Sequence, residues 1–270
     1  MYLDPSSPLL PTLSLPRGSS ITDMPLVTSH RVGLLLDKEE LEALHTEQYT
    51  VSSTTGTGAG MGELLPLFSE EVFWSLLPSS YMCELLLVPT PLRYGMLVVR
   101  TGGHWTTTLF SGLADAVLPT NRIENVIAFF GCVMEVWAVH VQWMLDEHHE
   151  AERWKSWWVR DDTMEKRIVI RPYQWNWYNW SNIREMNRMF DVNTAQWSPE
   201  RYVLIRKKSS VLASLRFPDI HFFSIDRPAL LRSDAHVASD CLHIMTGAGV
   251  LEVWTHYIWQ LVSRELPGRI

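Results

Sequence analysis

Three runs in the chain are apolar without alternation: Met96-Leu-Val-Val-Arg100, Arg167-Ile-Val-Ile-Arg171 and Ile220-His-Phe-Phe-Ser-Ile225. Continuous runs of β-branched and aromatic residues predict strands buried on both faces. Between the first two lies a long segment, residues 121–154, whose apolar positions recur every three or four residues; it predicts a helix. A second helix is expected over residues 181–190. A last one spans Val250 to Glu265, with Leu251, Trp254, Ile258 and Leu261 on one side, and is expected to lie on the sheet. Strands alternating with helices imply an α/β fold with a parallel or mostly parallel sheet and helices on both faces.

The first part of the chain is patterned less clearly. Residues 1–30 are rich in Pro, Ser and Leu without a sustained period, with a short strand expected at Leu26-Val-Thr28. Arg31-Val-Gly-Leu-Leu-Leu36 predicts a strand or a helix start that leads into an acidic helix from Lys38 to His45. Residues 52–60, Ser-Ser-Thr-Thr-Gly-Thr-Gly-Ala-Gly, predict a flexible linker or loop. Their glycines lack the Gly-Lys-Ser/Thr ending of a phosphate loop. The whole of residues 1–270 is read as one domain.

Composition narrows the function classes. With 46% hydrophobic residues the chain can bury a sizeable core, and a net charge of -7 without a Lys/Arg-rich run speaks against nucleic acid as a partner. Cys83, Cys132 and Cys241 are too scattered for a disulfide framework or a Cys/His metal site. The N-terminus lacks the basic-then-apolar pattern of a secretory signal, so no targeting signal is expected in this chain. Glu135, His140 and Gln142 interrupt the apolar stretch from Val126 to Leu145, which predicts a buried helix rather than a membrane segment.

Three stretches that follow predicted strands carry the candidate chemistry: Thr101-Gly-Gly-His-Trp105, Arg171-Pro-Tyr173, and Asp226 to His243. In an open α/β sheet such ends converge on one crevice. Asp240 and His243 stand three apart, the residue types of a general base and the carboxylate that orients it. Arg232 and His236 are placed in the supporting or substrate-binding shell. The backbone N–H groups of Gly102 and Gly103 are candidate oxyanion donors, with His104 and Trp105 shaping an acyl or sugar pocket. The aromatic run from Trp175 to Trp180 is read as packing, with sugar stacking as the alternative. His148 and His149 are read as a solvated helix end, because adjacent helical residues face different ways. A metal site of His104, His236, Asp240 and His243 has no ligand pair at a fixed spacing to support it, so no metal is expected.

With these residues in view, the chain from Met96 to its end resembles the PC-esterase family of SGNH-like acyl esterases and acyltransferases. This family includes trichome-birefringence-like polysaccharide O-acetyltransferases and the fungal capsule O-acetylation protein. The resemblance rests on Thr101-Gly-Gly-His-Trp105, on Asn176-Trp-Tyr-Asn-Trp180, and above all on Asp226-Arg-Pro through Asp240-Cys-Leu-His243. It implies an SGNH/flavodoxin-like three-layer sandwich and a Ser-His-Asp triad in which Asp240 and His243 take the Asp-x-x-His roles. It also implies acyl transfer onto or off a polysaccharide in the Golgi lumen or secretory pathway, in relatives that are often membrane-anchored. It implies no bound cofactor beyond an acyl donor such as acetyl-CoA or an acetylated intermediate.

Two departures accompany the resemblance. The family's Gly-Asp-Ser block does not occur in the sequence; Gly18-Ser-Ser20-Ile is its nearest look-alike and lacks a following helix. Arg171-Pro-Tyr173 also runs directly into Gln174-Trp-Asn-Trp, where relatives carry a loop with its own His and Cys, leaving Cys241 without that disulfide partner. The expectation is therefore a polysaccharide O-acyltransferase or esterase that is inactive or incomplete as written. The alternative is a non-catalytic glycan-binding homologue on the same fold.

Overall fold

The computed structural model describes residues 4, 6–8, 27–54, 65–72, 75–87, 94–100, 105, 108–113, 122–158, 166–171, 217–222, 232–235, 237 and 244–261. Its elements are α1 (Lys38–Thr54), α2 (Pro78–Leu85), β1 (Met96–Arg100), α3 (Arg122–Trp158), β2 (Arg167–Arg171), β3 (Ile220–Phe222) and α4 (Val250–Gln260). The strands form one parallel sheet in the order β1-β2-β3, so the fold is mixed α/β as the sequence predicts.

Parallel neighbours need a crossover, and between β1 and β2 the chain passes through α3. Its 37 residues give a rod about 55 Å long at the usual rise per residue. Val126, Phe130, Val133, Trp137, Val141 and Leu145 recur along it at spacings of three and four and are all buried. They join Val99, Ile168 and Ile170 of the sheet, Leu41 of α1, and Tyr81 and Met82 of α2 in one core. The stretch Ala128–Trp154 has the length and mean hydropathy, 1.3, of a membrane span. One side of that stretch packs in the core, while Val139, Trp143 and Trp154 on it are exposed.

Local chemistry explains where the helices start. Asp37 caps α1 by accepting the Glu40 N–H at 2.8 Å, and Glu39 and Glu40 place negative charge at the positive end of the helix dipole. The helix continues through Thr54, so residues 52–54, expected in a linker, are its last turn, and residues 55–60 lie outside the described residues. α2, which the sequence reading missed, begins with Pro78, whose absent N–H costs nothing in a first turn. The buried Trp137 indole donates to Tyr81 Oη at 2.6 Å, and that hydroxyl donates to Leu35 O at 2.9 Å. One relay thus ties α3, α2 and the segment before α1, and burial pushes the Tyr81 hydroxyl pKa far up.

Other expectations are corrected. Val27 and Thr28 form no strand, and the stretch 31–36 forms neither strand nor helix; a lone parallel bridge joins Leu34 to Ser75. Apolar character here reflects burial of Leu34, Leu35 and Leu36 in the core without regular backbone pairing. α4 is helical as expected, yet its buried Val250 and Trp254 join Ala235, with Ile244, Ala248, Leu251 and Ile258 against them, in a cluster separate from the one holding the sheet. Residues 181–190, the predicted second helix, and the aromatic run Trp175–Trp180 lie outside the described residues.

Candidate functional site

The sheet is parallel and in register, with Arg100 paired to Arg171 and Ile170 to Phe222. All three strands therefore end at one edge, where ligands bind in open α/β sheets. Thr101-Gly-Gly-His-Trp105 and Arg171-Pro-Tyr173 leave the sheet at this edge, and Asp226 follows β3 four residues beyond Phe222. Gly102, Gly103, His104, His236, Asp240 and His243 themselves lie outside the described residues, as do Gly18, Ser20 and Cys241.

Trp105, five positions after the end of β1, is fully buried. Its ring stacks on Phe110 at 4.5 Å and meets Phe130 edge-on at 4.7 Å, with Phe129 at 6.2 Å. The residue expected to shape a substrate pocket is thus an anchor that fastens the chain after β1 to α3. Its indole N–H is buried without an acceptor among the described residues. Segment 108–113 is in turn pinned to residues 66–69 by Ser69 N–H to Leu109 O and Gly112 N–H to Leu67 O, both 3.1 Å. Gly112 permits this approach, since a Cβ there would come within 2.3 Å of Pro66 O.

Arg232 lies at the surface. Its guanidinium forks onto Asp234, Nε to Oδ1 at 2.8 Å and Nη2 to Oδ2 at 2.9 Å. Nη2 also donates to Ala248 O at 2.9 Å, and the Met245 N–H donates to Ala235 O at 2.8 Å. These bonds bring residues 232–235 and 245–248 together beside the start of α4.

A second polar centre occupies the opposite edge, where β2 and β3 begin, and sequence reasoning missed it. The carboxylate of Asp219 is buried and accepts the Gln142 side-chain N–H at 2.8 Å, while Gln142 Oε1 accepts the Asp219 backbone N–H at 3.2 Å. Gln142 also donates to Asp146 at 2.9 Å. His149 Nδ1 stands 3.8 Å from the same Asp219 carboxylate, and Nε2 accepts the Lys166 backbone N–H at 3.3 Å. The expected solvated helix end is thus a docking point between α3 and the sheet on the His149 side. His149 thus lies between the Asp219 carboxylate and the Lys166 backbone N–H, where α3 meets the start of the sheet. On the same edge Arg167 Nη1 donates to His221 Nε2 at 3.4 Å, and burial, followed by the charge of Arg167, lowers the His221 pKa. The only sequence signal for this centre was the set of polar residues interrupting an otherwise apolar helix face.

Among the described residues no cluster of three or more His, Cys, Asp or Glu side chains is arranged to hold a metal ion. The chain matches no family model, and no curated protein and no solved structure is significantly similar to it.

Proposed function

We propose that this chain carries the sheet and the acid–base segment of an SGNH-type polysaccharide O-acyltransferase or esterase, on a flavodoxin-like three-layer fold. The observation that carries this reading is the shared sheet edge: β1, β2 and β3 end together at Arg100, Arg171 and Phe222, so two motif-bearing stretches depart from one line and the third follows β3 closely. The sequential order of three parallel strands is compatible with one flank of a flavodoxin-like sheet. In this reading His243 is the general base, Asp240 orients its imidazole, and the Gly102 and Gly103 N–H groups stabilise the oxyanion of a tetrahedral acyl intermediate. The acceptor is a glycan hydroxyl or water, and an acyl donor is the only small molecule the chemistry requires.

The sequence contains no Gly-Asp-Ser, which favours a second reading, glycan binding without turnover. Removing a triad nucleophile leaves only the catalysis that oxyanion stabilisation and binding provide. Incubation with a fluorophosphonate probe and titration with acetylated and deacetylated polysaccharides separate the two. Labelling of a serine that His243→Ala abolishes supports the acyl-transfer reading. Retained polysaccharide binding without labelling supports the binding reading, and absence of both sinks each of them.

A further inference from the structure

We infer that the solvent-facing stripe of α3 from Trp143 to Trp154 is a docking surface for an extended cationic segment of a partner protein, its arginine side chains stacking on the two indoles and pairing with Glu147 and Glu150. At 3.6 residues per turn, Glu147, Glu150 and Trp154 fall within about 40° of Trp143 round the helix, and the two tryptophans stand about 16.5 Å apart along it. Trp143 and Trp154 are 60% and 61% exposed, and Glu147 and Glu150 between them are exposed as well. Val139, also exposed, extends the stripe by one turn. On the opposite side of these turns Val141 and Leu145 are fully buried in the core, so packing holds the stripe in place.

A single exposed apolar residue calls for no explanation, but two large indoles on one line with carboxylates between them do. Charge selects the occupant. Glu147 and Glu150 enter no ion pair among the described residues, and Asp146, about 60° round the helix from Trp143, adds a third exposed carboxylate, which also accepts from Gln142. Arg153 stands to the other side of Glu150 from Glu147. A guanidinium both stacks on an indole face and pairs with a carboxylate, so tryptophan and glutamate in this order suit arginine. The net charge of -7 draws a cationic partner toward the chain as a whole. A second copy of this chain fits badly, because antiparallel pairing of the same stripe sets Glu147 of each copy near Glu150 of the other, like charge on like. An anionic lipid surface is repelled by the same carboxylates. An extended segment rises about 3.3 Å per residue, so five or so residues reach from one indole to the other.

Docking at this stripe is independent of the acyl-transfer reading. The test is titration of the full chain with a fluorescently labelled octapeptide of alternating arginine and glycine, read by anisotropy, beside the same peptide with uncharged citrulline in place of arginine. The wild type is expected to bind the arginine peptide saturably and the citrulline peptide about fivefold more weakly or less, with the gap narrowing as salt is raised. Trp143→Ala and Trp154→Ala are each expected to weaken binding by about threefold, and Trp143→Phe, which keeps an aromatic face, by less. Glu147→Gln with Glu150→Gln is expected to weaken it by about fivefold. Glu39→Gln with Glu47→Gln removes two exposed carboxylates from α1 instead and is expected to leave affinity unchanged. Absence of saturable binding up to about 1 mM peptide, unchanged affinity in Trp143→Ala, or an equal loss in the α1 variant overturns the proposal. If the peptide does not bind and Trp143→Ala instead weakens polysaccharide binding, the stripe is a glycan surface and the proposal fails.

Discussion

Gln142 and Asp219, 77 positions apart, hold each other at two points: the amide of Gln142 donates to the Asp219 carboxylate at 2.8 Å and accepts the Asp219 backbone N–H at 3.2 Å. This reciprocal pair docks the middle of α3 onto the turn that starts β3. It sits where β2 and β3 begin, and the Asp219 carbonyl next to it accepts the Ile168 N–H of β2 at 2.8 Å.

Truncating Gln142 leaves a buried carboxylate and a buried N–H short of partners. Gln142→Ala is expected to destabilise by about 2–3 kcal/mol, read as a lower urea midpoint at constant m. Asp219→Asn, which keeps an acceptor oxygen, is expected to cost less, and the double variant should show a coupling energy of about 1–2 kcal/mol. Additive effects would contradict the two-point contact.

Glycine replacement gives a contrast within one protein. Gly112→Ala drives a methyl to within 2.3 Å of the Pro66 carbonyl, and is expected to cost about 2 kcal/mol or more because backbone must move. Gly131→Ala, in the middle of α3 with nothing within 4 Å of the new methyl, is expected to stabilise by about 0.5–1 kcal/mol. Thermal unfolding of the two variants checks both signs.

Trp105 and Trp143 separate a packing tryptophan from a surface one. Trp105→Ala opens the aromatic cluster and is expected to cost about 3–5 kcal/mol. Trp143, 60% exposed, is expected to change stability by no more than about 0.5 kcal/mol on the same substitution. If Trp105→Ala left stability intact while abolishing glycan binding, Trp105 would belong to the ligand site instead.

Acidification acts through two imidazoles, the buried His45 and the half-buried His221. Burial lowers the pKa of both His45 and His221 from 6.5, so below that value the unfolded chain takes up protons that the fold excludes. Their contribution is intact above pH 6.5 and is lost as pH falls from there toward the depressed folded values. Glu40 acts with the opposite sign. Burial raises its carboxyl above 4.5, only partly offset by His140 at 3.6 Å, so ionising it as pH rises lowers stability. His45→Leu should therefore lose less stability than the wild type between pH 7 and 5. Glu40→Gln should gain relative to the wild type at neutral pH and converge with it in acid. Urea midpoints from pH 7 down to below pH 4.5 decide both.

The parallel strands and the long helix were legible because their signals are local. Val98-Val99 and Ile168-Val169-Ile170 are continuous apolar runs closed by arginines, and the apolar residues of α3 repeat at helical spacing over many turns. α2 is too short at eight residues for a period to emerge, and the polar, β-branched end of α1 imitates a linker. Asp240 and His243 were legible only as residue types at a spacing. The sequence by itself determined the α/β class, the first two strands and the chemistry available after each strand, because burial and periodicity are written into neighbouring residues. Tertiary structure alone decided that β1, β2 and β3 end at one edge, that Trp105 is an anchor, that Gln142 meets Asp219, and that Arg232 reaches Ala248 O. Each depends on contacts closed in space, where the stabilising partner lies beyond any window of sequence over which a pattern can be read.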